Sequence, residues 1–231
     1  MVGYLTEMVL EGRPVLCIGG GQVALRKLTG LLPSGPHITV VAPELHPTLA
    51  AWVREGKVHH RPVPFTPEVL DEPPPPLLLF AATGQAQINQ EIARQARQRG
   101  LLCNSADHPG SSGFLVPAVV RRGPVLVGVG TGGCSPALAR LLKERLEGWL
   151  EPGWGELAVQ FAALRERVKR HFPDPARRYA FWRQTALAVA QERRFEQEEN
   201  GPWLEARLRQ SMPGDGQEHS LSREERDAEK I

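Results

Sequence analysis

The chain has 231 residues, 28 Lys and Arg against 26 Asp and Glu, and 41% hydrophobic side chains. That length holds one large domain or two to three small ones around a sizeable core. A net charge of +2 is too small to argue for nucleic acid, and no apolar run approaches the roughly 18 residues that span a bilayer.

The first informative stretch is PVLCIGGGQVALRKLTGLL, residues 14–32. Val15, Leu16, Cys17 and Ile18 read as a strand, three glycines follow, and an amphipathic helix starts at once. Gly19, Gly21 and Ala24 fit the G-x-G-x-x-G/A spacing of a dinucleotide-binding turn. The first glycine permits the tight turn, the second lets backbone approach a pyrophosphate, and the alanine packs the helix close to its strand. Unpaired amides and the positive dipole end at the helix start then hold phosphate.

Beyond residue 35 short apolar runs and helical segments alternate. Residues 37–41 (HITVV) read as a second strand, 47–54 as a short helix, 58–62 as a weak third strand, and 77–82 (LLLFAA) as a buried fourth. Residues 85–99 form an amphipathic helix closed by Gly100, and 101–104 a fifth strand. This alternation predicts an α/β fold with a parallel, doubly wound, Rossmann-like sheet. Ligands of such sheets sit beyond the C-terminal strand ends, which singles out the loops at 19–23, 42–44, 82–85 and 104–109.

The place at the end of the second strand, where an Asp or Glu usually binds ribose, holds Ala42 and Pro43, with Glu44 just after. Either Glu44 binds the ribose, or backbone groups hold it and Glu44 is a solvated loop carboxylate. No Arg follows that strand and His46 is a poor substitute, so NAD is favoured over NADP. His59 and His60 point to opposite faces of a strand and read as solvated; no metal site is expected from them or from the cysteines. Residues 73–76 are four prolines and read as a surface connector. Cys17 and Cys103 lie in apolar runs and read as buried thiols, and an odd count of three, with no signal peptide, fits the cytoplasm.

Asp107 follows the fifth strand, at the mouth where a nicotinamide ring is expected, and is placed to take a proton from a substrate or to orient it. On local chemistry alone, a turn-forming Asp ahead of His108-Pro109 is the better reading. The wider pattern carries more: GGGQVALRK (19–27), AAT (81–83), CNSAD (103–107), Phe114, Pro117 and Ala118 in F-x-x-P-A, and TGGCSPALARLLKERLE (131–147). Taken together and in this order, these motifs resemble the precorrin-2 dehydrogenase and sirohydrochlorin ferrochelatase family, the N-terminal module of siroheme synthases. The resemblance covers roughly residues 4–190.

That resemblance implies NAD-dependent oxidation of precorrin-2 to sirohydrochlorin in siroheme biosynthesis. In some members Fe2+ insertion follows, so a bifunctional enzyme is the alternative. It maps Gln22, Val23, Pro43 and Glu44, with Thr83, onto NAD contacts beside Gly19, Gly20 and Gly21 of the turn, and Asp107 onto the key acidic residue. Thr131 falls where some members carry a serine that is phosphorylated. It also implies a homodimer built on residues 114–150, an NAD-binding domain over 1–113 and a helical domain over 151–210 above the tetrapyrrole.

The residues themselves agree. Precorrin-2 is a polycarboxylate, and Arg121, Arg122, Arg140, Lys143 and Arg145 cluster in sequence. Arg140 is the better substrate ligand because guanidinium pairs bidentately with carboxylate, whereas Lys143 and Glu147 suit an i,i+4 pair. Ser135 and Pro136 are an N-cap and first-turn pair starting a helix over 136–150, and Gly132 and Gly133 offer further amides to a carboxylate. Residues 125–129 read as a strand.

Helices are expected over 156–172 and 174–194. Tyr179, Phe181 and Trp182 on the second read as core packing ahead of porphyrin stacking. Arg165, Arg167, Lys169 and Arg170 are expected to divide between substrate and water. Residues 211–231 are polar without periodicity and read as a disordered tail. A non-catalytic NAD-binding sensor is the competing class, and it has no need of Asp107 or the basic cluster.

Overall fold

The computed structural model describes residues 3–196 and 200–211; the expected tail lies outside them from residue 212 on. These residues divide into two compact units, the first running to Ala118 and including Gly128–Leu142, the second formed by Val119–Val127 and the residues from Lys143 on.

In the first unit, β1 (Pro14–Ile18), β2 (His37–Val41), β3 (His59–Arg61), β4 (Leu78–Ala81) and β5 (Cys103–Ser105) form one parallel sheet in the order β3-β2-β1-β4-β5. α1 (Gln22–Leu31), α2 (Pro47–Arg54) and α3 (Ala86–Gln98) make three of the four crossovers, and the one from β3 to β4 carries only a short 3-10 helix, Pro67–Leu70. Alternation along β1 explains why both faces are covered. Val15 and Cys17 pack with Ala24 and Leu28 of α1 and Leu49 of α2. Leu16 and Ile18 point the other way, among Ile92, Ala93 and Ala96 of α3. Leu28, Leu49 and Ile92 are fully buried, and each contributes about 1.5–3 kcal/mol by leaving water.

The chain steps outward from β1 to β3, then returns to the far side of β1 as β4. The direction of winding therefore reverses between β1 and β4, the crevice where sheets of this kind bind ligands. β5 starts two residues later than the sequence implies. Gly100, at φ 69°, ends α3, and the Leu101 amide donates back to the Ala96 carbonyl at 2.9 Å. Leu101 thus belongs to the helix cap. His60 also departs from expectation. It is half-buried, and its Nε2–H donates to the Ala42 carbonyl at 2.9 Å, which fixes the end of β2.

β6 (Ala118–Arg122), which the sequence did not reveal, pairs with β7 (Val125–Val129), the strand expected there, and α4 (Pro136–Trp149) follows. In the second unit, α5 (Gly153–His171), α6 (Pro175–Gln191) and the unforeseen α7 (Gly201–Gln210) enclose Leu164, Val168, Phe172, Phe181, Leu204 and Leu208. Trp182 packs against this core, while Tyr179 is exposed. Arg167 forms a two-bond pair with Glu205. The Arg122 guanidinium donates to the Leu150 carbonyl at 2.9 Å and the Glu147 carbonyl at 3.0 Å. It caps the end of α4, which removes it from the cations expected to meet carboxylates. Lys143 and Glu147 form the expected pair at 2.9 Å.

Candidate functional site

The turn after β1 is shaped by contact with its neighbours. Gly19 has φ 114°, and a Cβ there would lie 2.1 Å from the Ala82 carbonyl oxygen and 2.8 Å from the Thr83 nitrogen. A side chain is excluded twice, by conformation and by space. A Cβ on Gly20 would meet the Glu44 carbonyl oxygen at 2.2 Å, and the His46 amide donates to the Gly20 carbonyl at 2.7 Å. The loops after β1, β2 and β4 therefore touch at the point where the winding reverses. At Gly21 a Cβ would meet nothing within 4 Å. Gly21 is the N-cap of α1, no side chain caps the helix, and its first turn holds no acid. Gln22 is exposed and Val23 half-buried at that helix start. A helix start without a side-chain cap or an acid in its first turn suits an anion.

Behind the turn, burial pushes the Cys17 thiol up to about 12. Burial, with Arg26 beside it, holds the Lys27 ammonium below the usual lysine value. Pro43 and Glu44 are exposed. His46 caps α2, its Nδ1 accepting from the Thr48 amide at 3.2 Å. Register sets Arg61 beside Val41 at the end of β2. Its guanidinium is held by both carboxylate oxygens of Glu72, the second bond at 3.0 Å.

The loops after β4 and β5 meet through a residue that the sequence did not single out. Asn89, on the first turns of α3, is fully buried. Its Oδ1 accepts from the Thr83 amide at 3.0 Å and the Thr83 hydroxyl at 2.9 Å. Its Nδ2 donates to Asp107 Oδ2. Asp107 itself is exposed, and the Ala106 amide, donating to the Ala81 carbonyl at 3.0 Å, anchors it to the end of β4. Beside it, His108 Nδ1 bonds the Ser111 hydroxyl at 3.2 Å.

The 131–135 turn lies against the same loop. A Cβ on Gly133 would sit 3.3 Å from Pro109 Cβ and 3.6 Å from Leu115. Gly132 and Gly133 both have positive φ, which turns the chain back into α4. The Thr131 hydroxyl donates to the Ser135 carbonyl at 3.2 Å and accepts from the Ser135 amide at 3.3 Å. The Ser135 hydroxyl accepts from the Leu138 amide at 3.1 Å, the N-cap expected of it. Arg140 follows, exposed, in the second turn of α4.

Two family models match in order along the chain: residues 8–118 a putative NAD(P)-binding domain, residues 153–208 a sirohaem synthase dimerisation region. Over most of its own length the chain is similar to siroheme synthases. A siroheme synthase of Methylobacillus flagellatus is 38% identical over 212 residues, 92% of this chain and 44% of the relative. That of Chromobacterium violaceum is 41% identical over 173 residues, 75% of this chain and 36% of the relative. The chain thus spans less than half the length of these siroheme synthases. The solved structure of SirC, a precorrin-2 dehydrogenase, matches 90% of this chain and 96% of its own with a TM-score of 0.66 and 22% identity, a likeness of fold. The segment matched by the dimerisation model is the three-helix unit α5–α7.

Proposed function

We propose that the chain is a cytoplasmic, homodimeric, NAD-dependent precorrin-2 dehydrogenase of siroheme biosynthesis. The carrying observation is the chain of bonds from Thr83 through Asn89 to Asp107, which brings an acid to the crevice that the glycine turn opens. The names of the relatives and of the structural neighbour supply the substrate.

The reaction removes two hydrogens: precorrin-2 + NAD+ gives sirohydrochlorin + NADH + H+. NAD+ supplies the hydride acceptor. The open space at Gly21 and the unpaired amides of α1 fit its pyrophosphate. Pro43, Glu44, Gln22, Val23 and Thr83 border that space as the remaining contacts. NAD is favoured over NADP because Arg61, the cation beside the end of β2, is already satisfied by Glu72. Asp107 accepts the proton that leaves as the hydride departs. The Gly132–Gly133 amides and Arg140 hold peripheral carboxylates of the tetrapyrrole.

No observation favours the bifunctional reading, in which Fe2+ is then inserted. Among the described residues no three His, Cys, Asp or Glu side chains gather into a cluster. The sensor reading leaves the Asn89–Asp107 bond without a purpose. No helix of the described residues is long and apolar enough to cross a membrane, and exposed Cys134 carries a free thiol, consistent with a reducing compartment. Apolar Leu138, Leu141 and Trp149 are exposed on α4, which supports burial of that helix between two copies.

Asp107→Asn tests the assignment. It is expected to lower kcat about 100-fold or more while NAD+ binding is unchanged. Normal turnover by this variant contradicts the role given to Asp107.

A further inference from the structure

Asn89 is fully buried in a helix whose other polar side chains are mostly exposed. A buried amide costs free energy unless its donor and acceptor ends are both used, and here both are. The orientation of the amide follows from its neighbours. The Thr83 backbone N–H can only donate, so the atom facing it is Oδ1. The NH2 end therefore faces Asp107, whose Oδ2 must accept. An acceptor-only carboxylate is the form a general base requires.

We propose that Asn89 is a positioning residue for the dehydrogenation: it holds Asp107 Oδ2 as an acceptor, leaving Oδ1 to meet the substrate proton. The same amide fixes Thr83, so one side chain sets the distance between the cofactor loop and the acid. This rests on the reading of the site as a precorrin-2 dehydrogenase. Asn89 touches neither substrate nor cofactor in this account and acts through Asp107 and Thr83. It lies 18 residues from Asp107 in the chain, and the link is made by α3 crossing back over the sheet.

The test compares wild type with Asn89→Asp and Asn89→Ala, measuring anaerobic precorrin-2 turnover, NAD+ affinity by calorimetry and the melting temperature. Asn89→Asp keeps the shape and the acceptor for Thr83, but it replaces the donor facing Asp107 by an oxygen and sets a second carboxyl against it. It is expected to lower the melting temperature, because two carboxyls then face each other at a buried position, and to lower kcat by about tenfold or more, with NAD+ affinity near wild type. Asn89→Ala loses both contacts and is expected to lower kcat and weaken NAD+ binding together. Wild-type kcat in Asn89→Asp overturns the proposal. So does an Asn89→Asp protein whose NAD+ affinity falls in step with kcat, since that is the mark of a role in holding the cofactor loop alone. A wild-type protein that binds NAD+ but leaves precorrin-2 unchanged defeats the dehydrogenase reading itself, and this proposal with it.

Discussion

Gly21 and Gly19 are separated by one residue and respond to substitution for different reasons. Gly21 sits at φ −87° with open space around its Cα, so Gly21→Ala is expected to fold with only a small loss of helix-cap stability. Its new methyl stands in the proposed path of the pyrophosphate and is expected to weaken NAD+ binding about tenfold or more, measured by calorimetry. Gly19→Ala is expected to fail earlier, in thermal melting, because its Cβ collides with the Ala82 carbonyl. The thiols give a second test at this scale. Burial raises Cys17 to about 12 and Cys103 to about 11, so neither holds appreciable thiolate at pH 8, whereas Cys134 is exposed. Titration with a disulfide reagent is expected to modify one thiol quickly and the other two only after denaturation. The sign for stability follows: the folded form keeps these protons longer than the unfolded chain, so stability is full below pH 9.0, the ordinary thiol value, and falls as pH rises toward 12. At the residue scale, the sequence exposed the glycine turn and the Ser135 cap through local chemistry, and singled out Asp107 only through the wider order of motifs. Asn89 stayed hidden among the polar residues of QAQINQEIARQ, because its meaning lies in a contact across the sheet.

The elements read well wherever burial is continuous. HITVV is the second strand with the bounds the pattern implies, and the apolar runs of β1 and β4 mark the sheet centre. Two elements escaped. β6 (AVVRR) ends in two arginines, and its pairing with β7 alone leaves little apolar signature. α7 opens with Gly201-Pro202 and buries only Leu204 and Leu208, too few positions for a helical period. The load borne by each face of the sheet is measurable. Leu28 and Ile92 are both fully buried, on opposite faces. Leu28→Ala and Ile92→Ala are each expected to cost about 2–5 kcal/mol in urea unfolding. The two effects should add within about 0.5 kcal/mol, since the sheet separates the sites.

At the scale of the molecule, the proposed homodimer is open to direct weighing. Sedimentation is expected to give twice the chain mass of 25.5 kDa. Leu141→Asp, placed on the exposed apolar side of α4, is expected to shift that toward the monomer. A dimer untouched by this variant points to the segment at 153–208, which matches the dimerisation model. The fold was legible from strand runs and glycine spacing, whereas the proposed substrate rests on several motifs in order, since no single local pattern encodes a tetrapyrrole. The central claim is therefore a chemical one, and one measurement addresses it. Purified protein is incubated anaerobically with precorrin-2 and NAD+, and both products are followed by absorbance. The account requires the sirohydrochlorin spectrum to appear with one NADH formed per tetrapyrrole oxidised. Precorrin-2 that persists at the rate seen without protein, with no NADH formed, contradicts it.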